Sequence, residues 1–537
     1  MKKLIIFFLI LVLAAFLRFY KLNEYPPSLN WDEVSIGYNA YSILKTGRDE
    51  WGQILPLSFR AYGDYKLPGY IYLDTVFIRS FGLNAWGVRL PSAVLGLGIV
   101  VFIFLTVKKL INTNLALWAM FTAAVTPWLI ILSRIALEAN LALFFTTGSI
   151  YFLILGFKRK YFLLASSFFL GLSLFSYNSS RVVVIPLVIT AAVLFWKKIN
   201  NIKVALFALG ILAIFFITAF PLALLQDSSA RYKWTTILDQ GAVLRINELR
   251  GSAALPPVLD KLIYNKITYF IPQSLGNYFS HFNPNFLFFN GGSNYQYSVP
   301  GSGLFHLSLL PFLILGIYQI FRKKENWQFF ILGWLIIALV PAAITRDAPH
   351  ALRALLMIPP FLIISVLGVG FVTSHFKPTY VKALLAIFTI ALVFQSVQFW
   401  KNYTGDYVKN YSWSWQYGYR EAVDFVNKEA NQYDRIYFTK KYGEPHEFVL
   451  FYLKIDPQFF RGSAVPVRYK KSDWYWVDSF DKFEFINDWE IKGNVKCETK
   501  SEKCLMVTSP GNYPEGWKFI KKIDFLDGKP AFDIVEI

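Results

Sequence analysis

About eleven apolar runs, each long enough or nearly so to cross the hydrocarbon core of a bilayer, crowd the first 400 residues of this chain. They lie at about 4–20, 87–107, 114–132, 139–157, 161–177, 182–196, 203–225, 303–321, 327–344, 354–374 and 380–400. The connections between them alternate in character. One set holds Lys108/Lys109, Lys158/Arg159/Lys160, Lys197/Lys198/Lys203, Arg322/Lys323/Lys324 and Lys377/Lys382, with only Glu325 to offset them. Together with Lys2 and Lys3, all of these fall on one side of an eleven-span count, which the positive-inside rule assigns to the cytoplasm. The expectation is a mainly α, polytopic membrane protein with a cytoplasmic N-terminus. With 55% hydrophobic and 17% charged residues, a soluble domain of this length could not cover its apolar surface, whereas lipid can.

The first run is the shortest in its apolar core, and Lys2-Lys3 suits a signal peptide as well as a span. No small-x-small cleavage site follows, and Arg18, Phe19 and Tyr20 read as an interfacial anchor, so an uncleaved span is expected. The opposite, external face then receives loops at 21–86 and 226–302, a turn at 345–353, and the tail. Residues 1–400 form the membrane domain. Residues 401–537 regain charge and read as an extracytoplasmic α/β domain, with a helix at Arg420–Glu429, a strand at Arg435–Thr439 and a helix near Glu447–Leu453.

The net charge of +19 would suit nucleic acid, but its basic residues sit in short clusters between apolar runs and not on one face, so no nucleic acid is expected. Cys497 and Cys504 are the only cysteines, which excludes a Cys-rich metal site. A disulfide and two free thiols both remain open. No Gly-rich phosphate loop precedes a helix, which argues against a soluble nucleotide-sugar site.

The external loops hold the polar residues that can carry chemistry. Asn30-Trp31-Asp32-Glu33 opens a helical stretch to Thr46, closed by Gly47. Asp32, Ser35, Asn39, Ser42 and Thr46 repeat at helical spacing and share one polar face, which such a helix can present to a site above the membrane surface. A capping box from Asn30 to Glu33 accounts for Glu33 structurally and leaves Asp32 without a structural role. Arg134 and Glu138 stand four apart, as an ion pair on a helix end or as functional residues at a membrane interface. Arg346, His350 and Arg353 lie in one external turn, against the positive-inside trend. Their guanidinium forks suit phosphate oxygens, although snorkelling toward headgroups is the bland reading. Arg181 and Lys66 are accessory cations.

These pieces in this order resemble the GT-C superfamily of membrane glycosyltransferases, nearest the bacterial branch related to protein O-mannosyltransferases and lipid A aminoarabinose transferases. Trp31-Asp32-Glu33 after the first span carries the resemblance. So do Tyr62-Gly63-Asp64-Tyr65-Lys66-Leu67-Pro68, Arg89-Leu90-Pro91-Ser92, Ser133-Arg134 before Glu138, Tyr177-Asn178-Ser179-Ser180-Arg181 and Pro300-Gly301-Ser302-Gly303. His281-Phe282-Asn283-Pro284 also resembles a segment of these families, as an acceptor-side element or a loop turn.

The resemblance implies a GT-C-like fold and inverting transfer of a hexosyl or pentosyl group. The donor would be a polyprenyl-phosphate sugar and the acceptor a glycan, lipid or protein, with membrane lipid as a further partner. Asp32 is the expected catalytic carboxylate on both physical and family grounds. Glu33 is a second catalytic candidate beside it, and Glu138 takes the second acidic position by resemblance. Arg346, Arg353, His350, Arg134, Arg181 and Lys66 are candidates for the donor phosphate, and Ser35 and Asn39 for the polar face. Related enzymes differ in metal dependence, so a divalent metal shared by Asp32, Glu33 and Glu138 is left open and the cofactor is unknown. Two other classes compete. A transporter or flippase would carry ionisable groups at the bilayer midplane, and an O-antigen ligase or polymerase would lack the acidic pair after the first span.

Overall fold

The computed structural model describes residues 1–198, 201–225, 235–253, 255–472, 474–497, 499 and 501–537. All eleven predicted apolar stretches contain helix. Among the described residues seven helices are long and apolar enough to span a membrane, or eight if Thr113–Val125 and Pro127–Ser133, bent by 60° at Thr126, count as one. The difference from eleven has a local cause at each place. Phe162–Leu174 and Leu310–Lys323 have only 13 and 14 residues. Lys2–Phe19 carries Lys2, Lys3 and Arg18 within its 18 residues.

The chain divides into two compact units that differ from the expected 1–400 and 401–537 domains. The first comprises 1–18, 94–133 and 138–400. The second comprises 19–93, 134–137 and 401–537, so the segment after the first helix groups with the tail.

In the first unit small residues let helix backbones touch. A Cβ on Gly316 would fall 1.9 Å from the Ile364 carbonyl oxygen, and one on Gly368 the same distance from that of Phe312. The Leu310–Lys323 and Ile358–His375 helices therefore pack closer than larger side chains would allow. Arg18, expected as an interfacial anchor, is instead fully buried. Its guanidinium donates to the carbonyls of Ala14 at 3.0 Å, Ala124 at 3.2 Å and Ala123 at 3.4 Å. It thereby fills carbonyls left open where the bent helix pair breaks.

In the second unit a two-residue antiparallel ladder, β1 (Phe59–Arg60) with β2 (Tyr65–Lys66), precedes a seven-stranded sheet. The sheet strands are β3 (Arg435–Thr439), β4 (Val467–Lys471), β5 (Trp474–Phe480), β6 (Phe483–Ile486), β7 (Cys504–Thr508), β8 (Lys518–Asp524) and β9 (Pro530–Glu536), in the order β4-β5-β6-β3-β7-β9-β8. The central β3 runs parallel to β6 and β7 and the other pairs are antiparallel. β3 is buried from Ile436 to Thr439, as a β-branched and aromatic run at the centre of a covered sheet should be. The predicted helices appear as Tyr419–Glu429 and Pro445–Tyr452, joined by stacked rings of Tyr419 and Phe448 4.1 Å apart. Cys497 and Cys504 are joined as a disulfide.

Candidate active site

The Trp31–Thr46 helix starts with a complete capping box: Glu33 N–H donates to the Asn30 side chain, and the Glu33 carboxylate accepts from Asn30 N–H at 3.2 Å. Gly47 closes it at φ 66°, a left-handed conformation that glycine adopts without a Cβ penalty. Two neighbouring carboxylates in this first turn meet opposite fates.

Glu33 is fully buried and gripped by Arg89, with Nε 2.8 Å from Oε1 and Nη2 2.9 Å from Oε2. Ala136 N–H adds a third donor to Oε1 at 3.0 Å. The same guanidinium donates to the carbonyls of Leu22 at 3.1 Å and Pro26 at 2.9 Å. Glu33 thus ties the 22–28 segment, the helix start and residue 136 together, and both its oxygens are engaged. The sequence reading counted it as a catalytic candidate; here its carboxylate is taken up by structural bonds. A metal shared by Asp32, Glu33 and Glu138 was left open; among the described residues no group of three or more His, Cys, Asp or Glu could hold a metal ion.

Asp32 is different. Its side chain keeps 42% exposure while its carboxylate pairs with the ammonium of Lys66, itself 9% exposed. Lys66 arrives at that position on β2. The connection between β1 and β2 is clamped from above, since a Cβ on Gly63 would lie 2.1 Å from the Trp474 ring. Tyr475 N–H also donates to the Tyr62 carbonyl at 2.7 Å. Tail residues therefore fix the loop that delivers Lys66. Lys66 was expected at a donor phosphate; here it pairs with the Asp32 carboxylate.

Arg134 was another phosphate candidate. It is fully buried, with its fork on the carbonyls of Tyr25 at 3.1 Å, Tyr20 at 2.6 Å and Lys21 at 3.3 Å, so it serves as a backbone clamp. Ser35 and Asn39 also depart from expectation. Neither faces outward, at 4% and 1% exposure. Asn39 donates to Glu50 Oε1 at 2.8 Å, and Ser35 is buried near the Glu447 carboxylate. Further along the stripe, Arg461 donates to Ser42 at 2.9 Å and Thr46 at 3.0 Å.

The polar face is thus met by a buried acidic layer that sequence reasoning missed. Burial pushes the Glu50 carboxyl up to about 7, opposed by its hydrogen bond from Asn39. Burial likewise lifts Glu444 to about 7, although Trp474 N–H donates to it at 2.7 Å. Glu447 is raised well above the usual carboxylate range by burial and by the nearby Glu50. His446, fully buried among them, is held neutral by burial and by Arg468 and Lys440. The only signal in the sequence was a pair of acids, Glu447 on an otherwise apolar helix and Glu444 at its N-cap.

The first unit holds the other candidate cluster. Arg346, Asp347, His350 and Arg353 lie in a non-helical hairpin between the Val340–Ala343 and Ile358–His375 helices. His281 supports it: buried, it accepts from His350 N–H on Nε2 at 3.1 Å and bonds the Asn277 carbonyl through Nδ1 at 2.7 Å. That pair of bonds requires the neutral ring protonated on Nδ1, consistent with burial lowering its pKa. Arg353 donates to Thr345 Oγ1 at 2.8 Å and more loosely to Asp347 at 3.4 Å. Arg346, with 43% exposure, reaches Asp239 at 3.4 Å. A cavity of about 170 Å³ is lined by Gly292, Ser293, Asn294 and Arg346 through Ala351. Arg181, in the first turn of the Asn178–Phe195 helix, donates to the Leu174 carbonyl at 3.2 Å. Glu138 opens the Glu138–Gly156 helix, where an acid complements the helix dipole.

Comparison with known proteins extends the reading. A model of the dolichyl-phosphate-mannose-protein mannosyltransferase family matches residues 66–220. YycA of Bacillus subtilis, a protein named as a mannosyltransferase, is 27% identical over 129 residues, which span 24% of this chain and only 18% of YycA. ArnT from Cupriavidus metallidurans in the apo state aligns over 98% of this chain and 97% of its own, with TM-score 0.55 and 10% identity. The same enzyme bound to undecaprenyl phosphate aligns with TM-score 0.51 and 13% identity over the same shares. An oligosaccharyltransferase from Archaeoglobus fulgidus, tethered to an acceptor peptide, aligns over 84% of this chain and 63% of its own, with TM-score 0.53 and 12% identity. The resemblance read in the sequence therefore holds at two levels: a mannosyltransferase-like sequence over residues 66–220 and the fold of the GT-C membrane glycosyltransferases.

Proposed function

We propose that this chain is an inverting glycosyltransferase that moves a sugar from a polyprenyl-phosphate donor to a glycan, lipid or protein acceptor at the external membrane face. The observation that carries the reading is Asp32, the half-exposed partner of a buried lysine in a helix turn whose other carboxylate is wholly consumed by structure. A carboxylate held in place yet open to solvent can orient and deprotonate an acceptor hydroxyl. Lys66 keeps it in place through their ion pair.

The donor's phosphate gains negative charge as the glycosidic bond breaks, and fixed cations stabilise it. Arg353 and Arg346 take that role, with His350 beside them, and the polar hairpin cavity has room for a phosphate group. Glu138, by family resemblance, is the second acid, and Arg181 is an accessory cation. A lipid-phosphate donor is supported by the family model's dolichyl-phosphate-mannose chemistry and by undecaprenyl phosphate bound to ArnT. The orientation follows from charge: the hairpin and the tail are external and the basic connections cytoplasmic. Glu33 has no catalytic part.

The test is turnover by purified protein in nanodiscs supplied with polyprenyl-phosphate hexoses and pentoses. Release of polyprenyl phosphate coupled to sugar on an acceptor is expected. Donor flux across vesicles without any bond cleavage would favour a flippase. Tolerance of Ala at Asp32 combined with loss at His350 would favour an O-antigen ligase type of site.

A further inference from the structure

We propose that the chain binds one anionic phospholipid at the Lys158–Lys160 end of its helices, with an acyl chain between helices and the phosphate at a ring of cations. Two contiguous cavities of opposite character carry this. The inner one, about 130 Å³, lies among the Glu138–Gly156, Phe162–Leu174, Asn178–Phe195 and Ile202–Leu225 helices and has no charged residue in its lining. Its deepest polar groups satisfy each other: Ser149 and Ser166 hydroxyls each donate to the other's carbonyl at 2.9 Å. That leaves a slot asking for hydrocarbon.

The outer cavity, about 380 Å³, is lined by Lys158, Arg159, Lys160 and Lys198 and shares Phe157 and Leu163 with the slot. Phe157 and Phe195 form the neck, rings 4.6 Å apart, with the Lys198 ammonium within 5.8 Å of both. No Asp or Glu occurs between Glu138 and Asp227. Among the described residues none of these four cations meets a carboxylate within ion-pair distance, so their counter-charge must come from outside. Snorkelling explains single interfacial lysines; it does not explain an apolar slot opening beneath four of them. A phosphodiester headed by two acyl chains complements both parts, as basic pockets between spans do for anionic headgroups.

This is not the donor site. Phe330 lines the slot, whereas the phosphate hairpin follows Ala343 at the other end of the same helical run, about 20 Å away along the helix rise.

Native mass spectrometry of the full-length protein, titrated separately with phosphatidylglycerol, phosphatidylcholine of the same chains and inorganic phosphate, tests the proposal. Phosphatidylglycerol is expected to bind at least tenfold tighter than phosphatidylcholine. Lys198→Gln should lower its affinity threefold or more while leaving phosphatidylcholine unchanged. Ala208→Phe, which fills the slot without touching charge, should lower it at least as much; Ala191→Leu serves if that variant does not fold. Equal binding of the two lipids overturns the proposal, as does wild-type affinity in both the charge and slot variants. Full displacement by inorganic phosphate, with no effect of slot filling, overturns it in favour of a plain anion site.

Discussion

Two regions of this molecule hold charge in opposite ways. Around the Trp31–Thr46 helix several buried charges are held by direct hydrogen bonds: Glu33 by Arg89, Arg134 by three carbonyls, and Glu50 by Asn39. In the Arg346–Arg353 hairpin the charge pairs are longer, 3.4 Å to Asp239 and Asp347, and lie beside an open cavity. The first pattern fixes a scaffold and leaves one carboxylate, Asp32, half in solvent. The second keeps cations where a ligand can take over their partners.

The contrast breaks at predictable places. Glu33→Ala or Arg89→Ala leaves a buried charge unanswered and should cost about 3–5 kcal/mol, read as a drop in melting temperature or loss of folded protein. A variant with normal stability would remove Glu33 from the scaffold. Arg353→Ala should leave stability nearly unchanged and weaken donor binding about 10–100-fold, the worth of a charge-assisted hydrogen bond pair, with Arg353→Lys recovering only part.

The buried acids sharpen the comparison through pH. Glu50 titrates at about 7 in the folded chain against an ordinary value of 4.5. Its neutral form therefore favours the folded state at low pH, and that contribution fades as pH rises from about 4.5 through 7. Glu50→Gln should raise stability by about 1–2 kcal/mol at pH 8 and change little at pH 4, measured by thermal unfolding. A stabilisation that grew toward acid would contradict the sign. The smallest effect belongs to Arg346→Ala. This side chain is 43% exposed and its pair is solvent-screened, so donor affinity should fall less than about fivefold.

The sequence was most readable where one physical rule acts alone. Apolar length marked where helices form, although seven or eight of them, not eleven, are long and apolar enough to span among the described residues, and the Asn30–Glu33 spacing announced its capping box. It was least readable where partners come from distant stretches. Nothing local says that Arg89 reaches Glu33, that Lys66 reaches Asp32, or that Glu50 awaits Asn39. A polar stripe at helical spacing looks the same whether it meets water or a buried acid. Arg18 and Arg134 misled for a related reason: an arginine near a membrane surface can also fill carbonyls where helices break.

In the proposed mechanism Asp32 acts chemically while its neighbour acts structurally. Sugar transfer from a polyprenyl-phosphate donor should be measured for wild type, Asp32→Asn and Asp32→Glu in the same nanodiscs, with melting temperatures alongside. Asp32→Asn should fold normally, bind donor normally and transfer about 10²–10⁴-fold more slowly. Transfer at the wild-type rate by a folded Asp32→Asn protein would contradict the account at its centre.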